Sequence, residues 1–324
     1  MQRQTSSEQP ALNQADKPLI IGTRGSPLAL WQAHHVRDNL LTAHGWDETK
    51  VEIKILKTKG DQIKGHLSEF GGKGLFTREL EEALIDGRID LAVHSMKDVP
   101  TLGQDALTIG AVLERADPRD GFISEHVKSL LELPKGGMIG TASIRRRAQL
   151  SRLRPDIKFC LLRGNVGTRL SKLKEGLFDA TFLACAGLKR LGQGELITQE
   201  VPSEIMLPAP AQGAIGIEHR RDDERVATAI LPLDHSPTHI AIIAERAFLE
   251  ALDGSCRTPI AALATLEGDK MSFRGEVIAT DGSKHYGTQA LESVSTRVAA
   301  RALGLAMGAE IKAEIGDIVL WDKD

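Results

Sequence analysis

From Lys17 to about Met206, short apolar runs alternate with helical patterns, and midway the pattern restarts. "PLIIGT" reads as a buried strand. "SPLALWQAHHVRDNLL" follows as a helix, with Ser26 as N-cap and Pro27 at the first helical position. "KVEIKILKT" alternates like a strand, "GLFTRELEEALIDG" is helical with Gly87 as its stop, and "IDLAVHS" is a strand again. The restart, "IGTASIRRRAQL", repeats the logic of the opening "IGTRGSPLAL": strand, Gly-Thr, serine cap, helix. "IKFCLL" and "DATFLACA" continue as strands, and "TRLSKLKEGL" as a helix with Leu170, Leu173 and Leu177 on one stripe. Alternation of this kind selects βαβ units and mostly parallel sheets.

The chain therefore reads as α/β, with two similar lobes. "LPAPAQGAIGIEHR" reads as a crossing back into the first lobe. Past residue 231 the character changes. "HIAIIAERAFLEALDG" is a helix capped by Gly254. Short strands then turn at Gly268-Asp269 and Asp281-Gly282, and "STRVAARALGLAMGAEI" closes as an amphipathic helix. This predicts a small α+β third domain. The expected division is a disordered tail over 1–16, a first lobe over 17–113 and 208–231, a second over 114–207, and the third domain over 232–324.

Composition bounds the function. With 41 Lys+Arg against 44 Asp+Glu the net charge is −3, which excludes a generally basic binder of nucleic acid or membrane surfaces. Aromatic content of 4%, with one tyrosine, opposes a base-stacking platform. Cys160, Cys185 and Cys256 have unrelated spacings, so no disulfide framework is expected and the cytoplasm is the natural compartment. No apolar run is long enough to span a membrane, and the polar first sixteen residues lack the core of a secretory signal. The histidines show no metal-ligand spacing. "HSPTH" reads as loop, and no metal is expected.

Against this acidic background, "SIRRRAQLSRLRP" holds five arginines and no acid. The basic residues also recur at one kind of place. Arg24 follows the first strand, Lys97 follows "DLAVHS", and Arg145 and Arg146 follow "MIGT". Arg163 follows "IKFCLL", Arg169 sits in the next helix's first turn, and Arg190 lies beyond "TFLACA". The carboxyl ends of strands in open α/β sheets are where ligands bind. Arginine at a helix start is unfavourable by roughly 0.3–1 kcal/mol unless an anion neutralises it. Two such edges facing each other would form a basket for a multi-carboxylate ligand, which the guanidinium fork suits. On the helical wheel Arg145 and Arg152 share one side, Arg147 and Arg154 another and Arg146 a third, so the run is not one basic stripe, and Arg147, Arg152 and Arg154 read as solvated surface. No Walker loop and no G-x-G-x-x-G after the first strand point to a nucleotide.

Asp98, in "HSMKDVPT", reads either as a turn cap before proline or as an acid that stabilises a developing cation and moves a proton. Cys160 and Cys185 lie in apolar strands. Cys256, in "LDGSCRTP", reads either as an incidental loop cysteine or as a nucleophile or attachment point beside an arginine. "KTKGDQIKGHLSEFGGKGLF" is long and Gly-rich enough for a lid, from which Lys73 and Phe76 can reach the cleft.

Taken in order, "TRGSPLALWQA", "GGKGLFTRELE", "DLAVHSMKDVP", "DPRDGFIS", "GTASIRRRAQL", "LRGNVGTRLSKL", "LACAGLKRLG", "LPAPAQGAIGIE" and "GSCRTPI" resemble the motifs of the porphobilinogen deaminase (hydroxymethylbilane synthase) family over nearly the whole chain. The resemblance implies two lobes like those of periplasmic binding proteins, with the active site between them. It implies a covalent dipyrromethane cofactor on Cys256 and condensation of four porphobilinogen molecules with loss of ammonia. Hydrolysis then frees a linear tetrapyrrole. Asp98 matches the catalytic acid. Arg24, Ser26, Lys97, Arg145, Arg146, Arg163, Arg169 and Arg190 match binders of the pyrrole carboxylates. Ser95, Ser143, Lys73 and Gln212 match assisting residues, and Phe76 a contact to the reacting ring. A cytoplasmic monomer acting on a small molecule is implied, without nucleic-acid or membrane partners. Glu69 stands where some members have a basic residue. The competing reading is a two-lobed organic-anion-binding protein without catalysis.

Overall fold

The computed structural model describes residues 17–58, 77–254 and 258–316. The lid, the tail, Lys73, Phe76 and Cys256 lie outside these. The chain opens with β1 (Leu19–Arg24), α1 (Pro27–His44) and β2 (Val51–Leu56). The helix starts where its sequence dictates: Ser26 accepts a hydrogen bond from the Ala29 N–H at 3.3 Å, and Pro27 stands in the first turn. It stops at Gly45, whose φ of 64° needs no Cβ. Next come α2 (Arg78–Ile85), β3 (Leu91–Ser95) and β4 (Leu107–Val112). The chain then crosses to a second sheet with β5 (Asp120–Ile123), β6 (Met138–Gly140), α3 (Ile144–Leu153), β7 (Lys158–Cys160), α4 (Val166–Lys174), β8 (Ala180–Ala184), α5 (Cys185–Arg190) and β9 (Gln199–Glu200). It returns with β10 (Ile215–Arg220) and α6 (Glu224–Ile230).

The two sheets share one plan. Their strand orders are β2-β1-β3-β10-β4 and β7-β6-β8-β5-β9. In each, the first three strands are parallel and the fourth is antiparallel to both its neighbours. That fourth strand follows a crossing from the other lobe, so the lobes exchange a strand each way. The inner strands carry near-continuous apolar runs because both faces are covered, as with Ile21, Leu91 and Ile217 in one core and Phe122, Ile139 and Phe182 in the other.

The remainder is α+β. It contains α7 (Ser236–Ala251), the antiparallel strands β11 (Ile260–Glu267), β12 (Lys270–Ile278) and β13 (His285–Ser293), and α8 (Arg297–Ile315). Phe248 and Phe273 pack edge to face at its centre, with centroids 5.4 Å apart. Three local readings are corrected. "HSPTH" is no loop: His235 caps α7 through the Thr238 N–H, and Pro237 occupies its first turn. At the other end of α7 the left-handed residue is Asp253 rather than Gly254. Of the leucine stripe only Leu173 is buried, because α4 ends at Lys174 and leaves Leu177 58% exposed.

Candidate active site

β1 and β3 run side by side in parallel, with Ile21 opposite Leu91, so Arg24 and Ser95 emerge at the same sheet edge. A single 3-10 turn, Met96–Asp98, follows Ser95 and carries Lys97 and Asp98. Arg24, Ser26, Gln32, Ser95 and Asp98 line one cavity of about 80 Å³. The Gln32 side-chain amide donates to the Ser95 hydroxyl at 2.8 Å and so orients it. Asp98 itself is exposed.

The second lobe presents the equivalent edge. Ser143 caps α3, accepting from the Arg146 N–H at 3.3 Å. Arg145 and Arg146 do not lie open in the cleft: each is only 6% exposed. Their guanidiniums donate to the two oxygens of Asp120 at 2.8 and 2.7 Å, and to the carbonyls of Leu207 and Phe182 at 2.7 Å each. Burial pushes the Asp120 carboxyl up, but the two guanidiniums outweigh it and hold the group well below the usual carboxylate range. Gln212 then links the lobes. Its amide donates to Asp120 at 3.0 Å and to the Pro118 carbonyl at 2.7 Å, while its oxygen accepts from the Lys97 ammonium at 3.5 Å. Burial pulls the Lys97 pKa down, Asp98 opposes this, and Arg146 reinforces it. Arg146 Nε is buried with no hydrogen-bond partner among the described residues.

Arg163 is half-buried between β7 and α4. Arg169 donates from Nε to the Gly164 carbonyl at 2.8 Å. Burial pushes its pKa down to about 10, with Arg146 adding to the effect and Asp98 opposing it. Arg190 donates to the Gly213 carbonyl at 2.7 Å, and its guanidinium lies 5.6 Å over the Trp31 ring on the opposite lobe. Burial pushes its pKa, too, down to about 10. Among the described residues no carboxylate forms an ion pair with Arg169 or Arg190. Cations desolvated without a partner acid are costly, and an anionic ligand would neutralise them.

Arg147 and Arg152 are exposed. Arg154 is not plain surface: it pairs with Asp156 at 2.8 Å and donates to the Leu133 carbonyl at 2.9 Å, closing the end of α3. Cys160 and Cys185 are free thiols, and burial pushes Cys185 up to about 12, where it is inert at neutral pH. Asp117, Cys185 and Glu200 bring one ligand atom each within 4.8 Å of one another, but Arg119 and Lys189 take both carboxylates.

Asp120 and Gln32 join the site although their sequence contexts did not single them out. A signal existed for Asp120: it opens the strand "DGFI", whose four residues are all buried. A carboxylate there needs partners. Gln32 lies in an ordinary helical stretch, and only the approach of β3 reveals it.

Two family models match the chain. "Porphobilinogen deaminase, dipyromethane cofactor binding domain" matches residues 19–228, and "Porphobilinogen deaminase, C-terminal domain" matches residues 239–313. A protein named porphobilinogen deaminase from Paracoccus denitrificans is 48% identical over 299 residues, covering 92% of this chain and 93% of the relative. Another of that name, from Nitrobacter winogradskyi, is 50% identical over 304 residues, 94% of each chain. Among solved structures, a periplasmic substrate-binding protein of an ABC transporter from Coxiella burnetii aligns at a TM-score of 0.41 and 14% identity, covering 70% of this chain and 94% of its own. A nutrient binding protein from Burkholderia cenocepacia aligns at a TM-score of 0.41 and 14% identity, over 68% and 92%. With its strand-end cations, its two α/β lobes and half-identical relatives over more than nine-tenths of its length, the chain belongs to the porphobilinogen deaminase family.

Proposed function

We propose that this chain is a transferase, a hydroxymethylbilane synthase, that condenses four porphobilinogen molecules stepwise with release of ammonia and then frees the linear tetrapyrrole by hydrolysis. The observation that carries this reading is the pair Arg169 and Arg190, two largely desolvated guanidiniums without an acid partner among the described residues. Porphobilinogen and its oligomers bring an acetate and a propionate on every ring, which supply the missing anions. Buried Arg146 Nε offers one further donor. This donor set also fits a dipyrromethane, whose carboxylates Lys97, Ser143, Gln212 and the Nε of Arg146 would hold, with Arg145 buried behind them on Asp120.

When bound through a thioether at Cys256, the dipyrromethane supplies the pyrrole end to which the first substrate is joined. The chain's own residues do the rest. Arg24, Ser26, Arg163, Arg169 and Arg190 grip the substrate carboxylates and orient the ring, and Lys73 and Phe76, outside the described residues, take the assisting and ring-contact roles that the family match gives them. Asp98 then stands as an exposed carboxylate among fixed cations. It stabilises the cation left on the substrate when ammonia departs, and accepts the proton released when the new carbon–carbon bond forms. A carboxylate suits this, because the positive charge moves from the protonated aminomethyl group onto the ring as ammonia leaves, and a fixed negative charge beside the ring favours that shift. A binding protein for organic anions would need the cations but not an acid among them.

The reading includes a cytoplasmic monomer. No described helix is long and apolar enough to cross a membrane.

Intact mass of the purified protein, with peptide mapping around Cys256, tests the proposal, followed by ammonia release on adding porphobilinogen. The expected result is a mass excess equal to a dipyrromethane on the Cys256 peptide, with turnover. Binding of porphobilinogen with no adduct at any residue and no ammonia would favour the non-catalytic reading and overturn this one.

A further inference from the structure

Arg246 lies on α7 in the third domain, yet its donors are spent on the first lobe. Its guanidinium donates to the carbonyls of Met96, Val99 and Pro100 at 3.4, 2.8 and 2.6 Å. These carbonyls bracket the short turn that carries Lys97 and Asp98. We propose that Arg246 is a positioning residue for Asp98, setting where the acid stands relative to the bound rings. This rests on the reading of Asp98 as the catalytic acid.

Three features separate this from simple domain docking. First, no carboxylate contacts Arg246 among the described residues. The nearby acids are otherwise engaged: Glu218 pairs with His94 at 3.0 Å and Glu250 with Arg301 at 2.7 Å. Burial pushes the Arg246 pKa down to about 10, with Glu218 and Glu250 opposing from a distance. A largely desolvated cation is thus devoted to the backbone of a single turn. Second, the turn is gripped from the other sides as well. The Met96 N–H donates to the Ala214 carbonyl at 3.0 Å, and the Val99 N–H closes the turn on the Met96 carbonyl at 3.3 Å. The Met96 side chain is 1% exposed and lies so close over Gly216 that any Cβ there would overlap its sulfur. Third, Ile242, one helical turn before Arg246, packs in the same cluster as Met96 and Val99. One face of α7 therefore supplies both an apolar and a charged contact to the Asp98 turn. The same helix ends at Ala251, and Cys256 follows it in the chain.

The test uses the full-length holoenzyme as wild type, Arg246→Met and Arg246→Lys. It reads kcat and KM for porphobilinogen, intact mass for dipyrromethane content, and Tm. A misplacement on the order of 1 Å costs about 10²-fold in rate. Arg246→Met is therefore expected to lose about 10²-fold in kcat per loaded molecule, with KM within about 3-fold and an unchanged adduct mass. Arg246→Lys keeps a charge that reaches fewer carbonyls, and is expected to recover about 10-fold of that loss. If kcat per loaded, folded molecule equals that of wild type in Arg246→Met, the residue only docks the domains and the proposal falls. Should Arg246→Met fail to fold, Arg246→Lys decides alone: a lower kcat at wild-type Tm supports positioning, and wild-type kcat overturns it. A wild-type protein that carries the adduct but releases no ammonia would instead defeat the reading of the reaction.

Discussion

Glu245 on α7 and Arg115 on the segment joining β4 to β5 form a two-pronged ion pair, with oxygens 2.6 and 3.1 Å from the two terminal nitrogens. Glu245 is fully buried. It also accepts from the Ala264 N–H at 2.7 Å and from the N–H of Ala211, which sits in the left-handed region at φ 61°. Arg115 adds a bond to the Gln212 carbonyl at 2.9 Å. One carboxylate thus ties the third domain to both strands of chain that pass between the lobes. Replacing it leaves Arg115 without its charge partner. Glu245→Gln should destabilise the protein by about 3–5 kcal/mol, and denaturant unfolding of the two proteins side by side measures this.

Asp120 governs the acid response of the cleft floor. Its carboxyl is held below the usual range in the folded protein, so its contribution is complete above the unfolded pKa of about 3.9. It is lost as pH falls through the lower folded value. Thermal unfolding followed from pH 7 to pH 2 should show stability falling below about pH 4. Asp120→Asn should be less stable at pH 7 by about 3–5 kcal/mol, because Arg145 and Arg146 stay buried without their acid, and its own acid-dependent loss should be smaller.

Arg190 separates binding from stability. With no acid partner in the described residues, its charge contributes little to the fold and burial works against it. Arg190→Leu should leave Tm unchanged or raise it, while KM for porphobilinogen rises by about 10–100-fold, the loss of one charge-assisted contact. A lowered Tm with unaltered KM would assign Arg190 to structure through its bond to the Gly213 carbonyl.

Asp98 is exposed and, among the described residues, its side chain hydrogen-bonds no buried group, so the described fold does not depend on it. Asp98→Asn should retain wild-type Tm and the adduct mass, yet lose at least about 10²-fold in ammonia release. Wild-type turnover in that variant would remove its role.

Gly213 marks where the crossings touch. Its φ of 92° and the Ala116 carbonyl, 2.5 Å from where a Cβ would stand, both reject a side chain. Gly213→Ala should cost about 2 kcal/mol or more, read as a fall in the denaturant midpoint.

The sequence by itself determined the local elements and their order. Ser26, Pro27 and Gly45 mark the ends of α1 through contacts within a few residues, so they were legible without the rest of the chain. The strand-end stations of Arg24, Lys97 and Arg163 follow from the same βα rhythm. The nine family motifs carried the rest of the functional reading. What only the tertiary structure decided is which charges meet. Arg145 and Arg146 look alike with Arg190 in sequence, as cations near strand ends. Yet the first two close on Asp120, 25 and 26 residues away, while Arg190 reaches the Gly213 carbonyl on the opposite crossing. Glu245 and Arg246 are neighbours in a plain helix, but one holds the passages between lobes and the other holds the Asp98 turn. Helix caps are local, so chain order specifies them. Partners 23 to 147 residues apart are set by how sheets pack and cross, which no periodicity encodes.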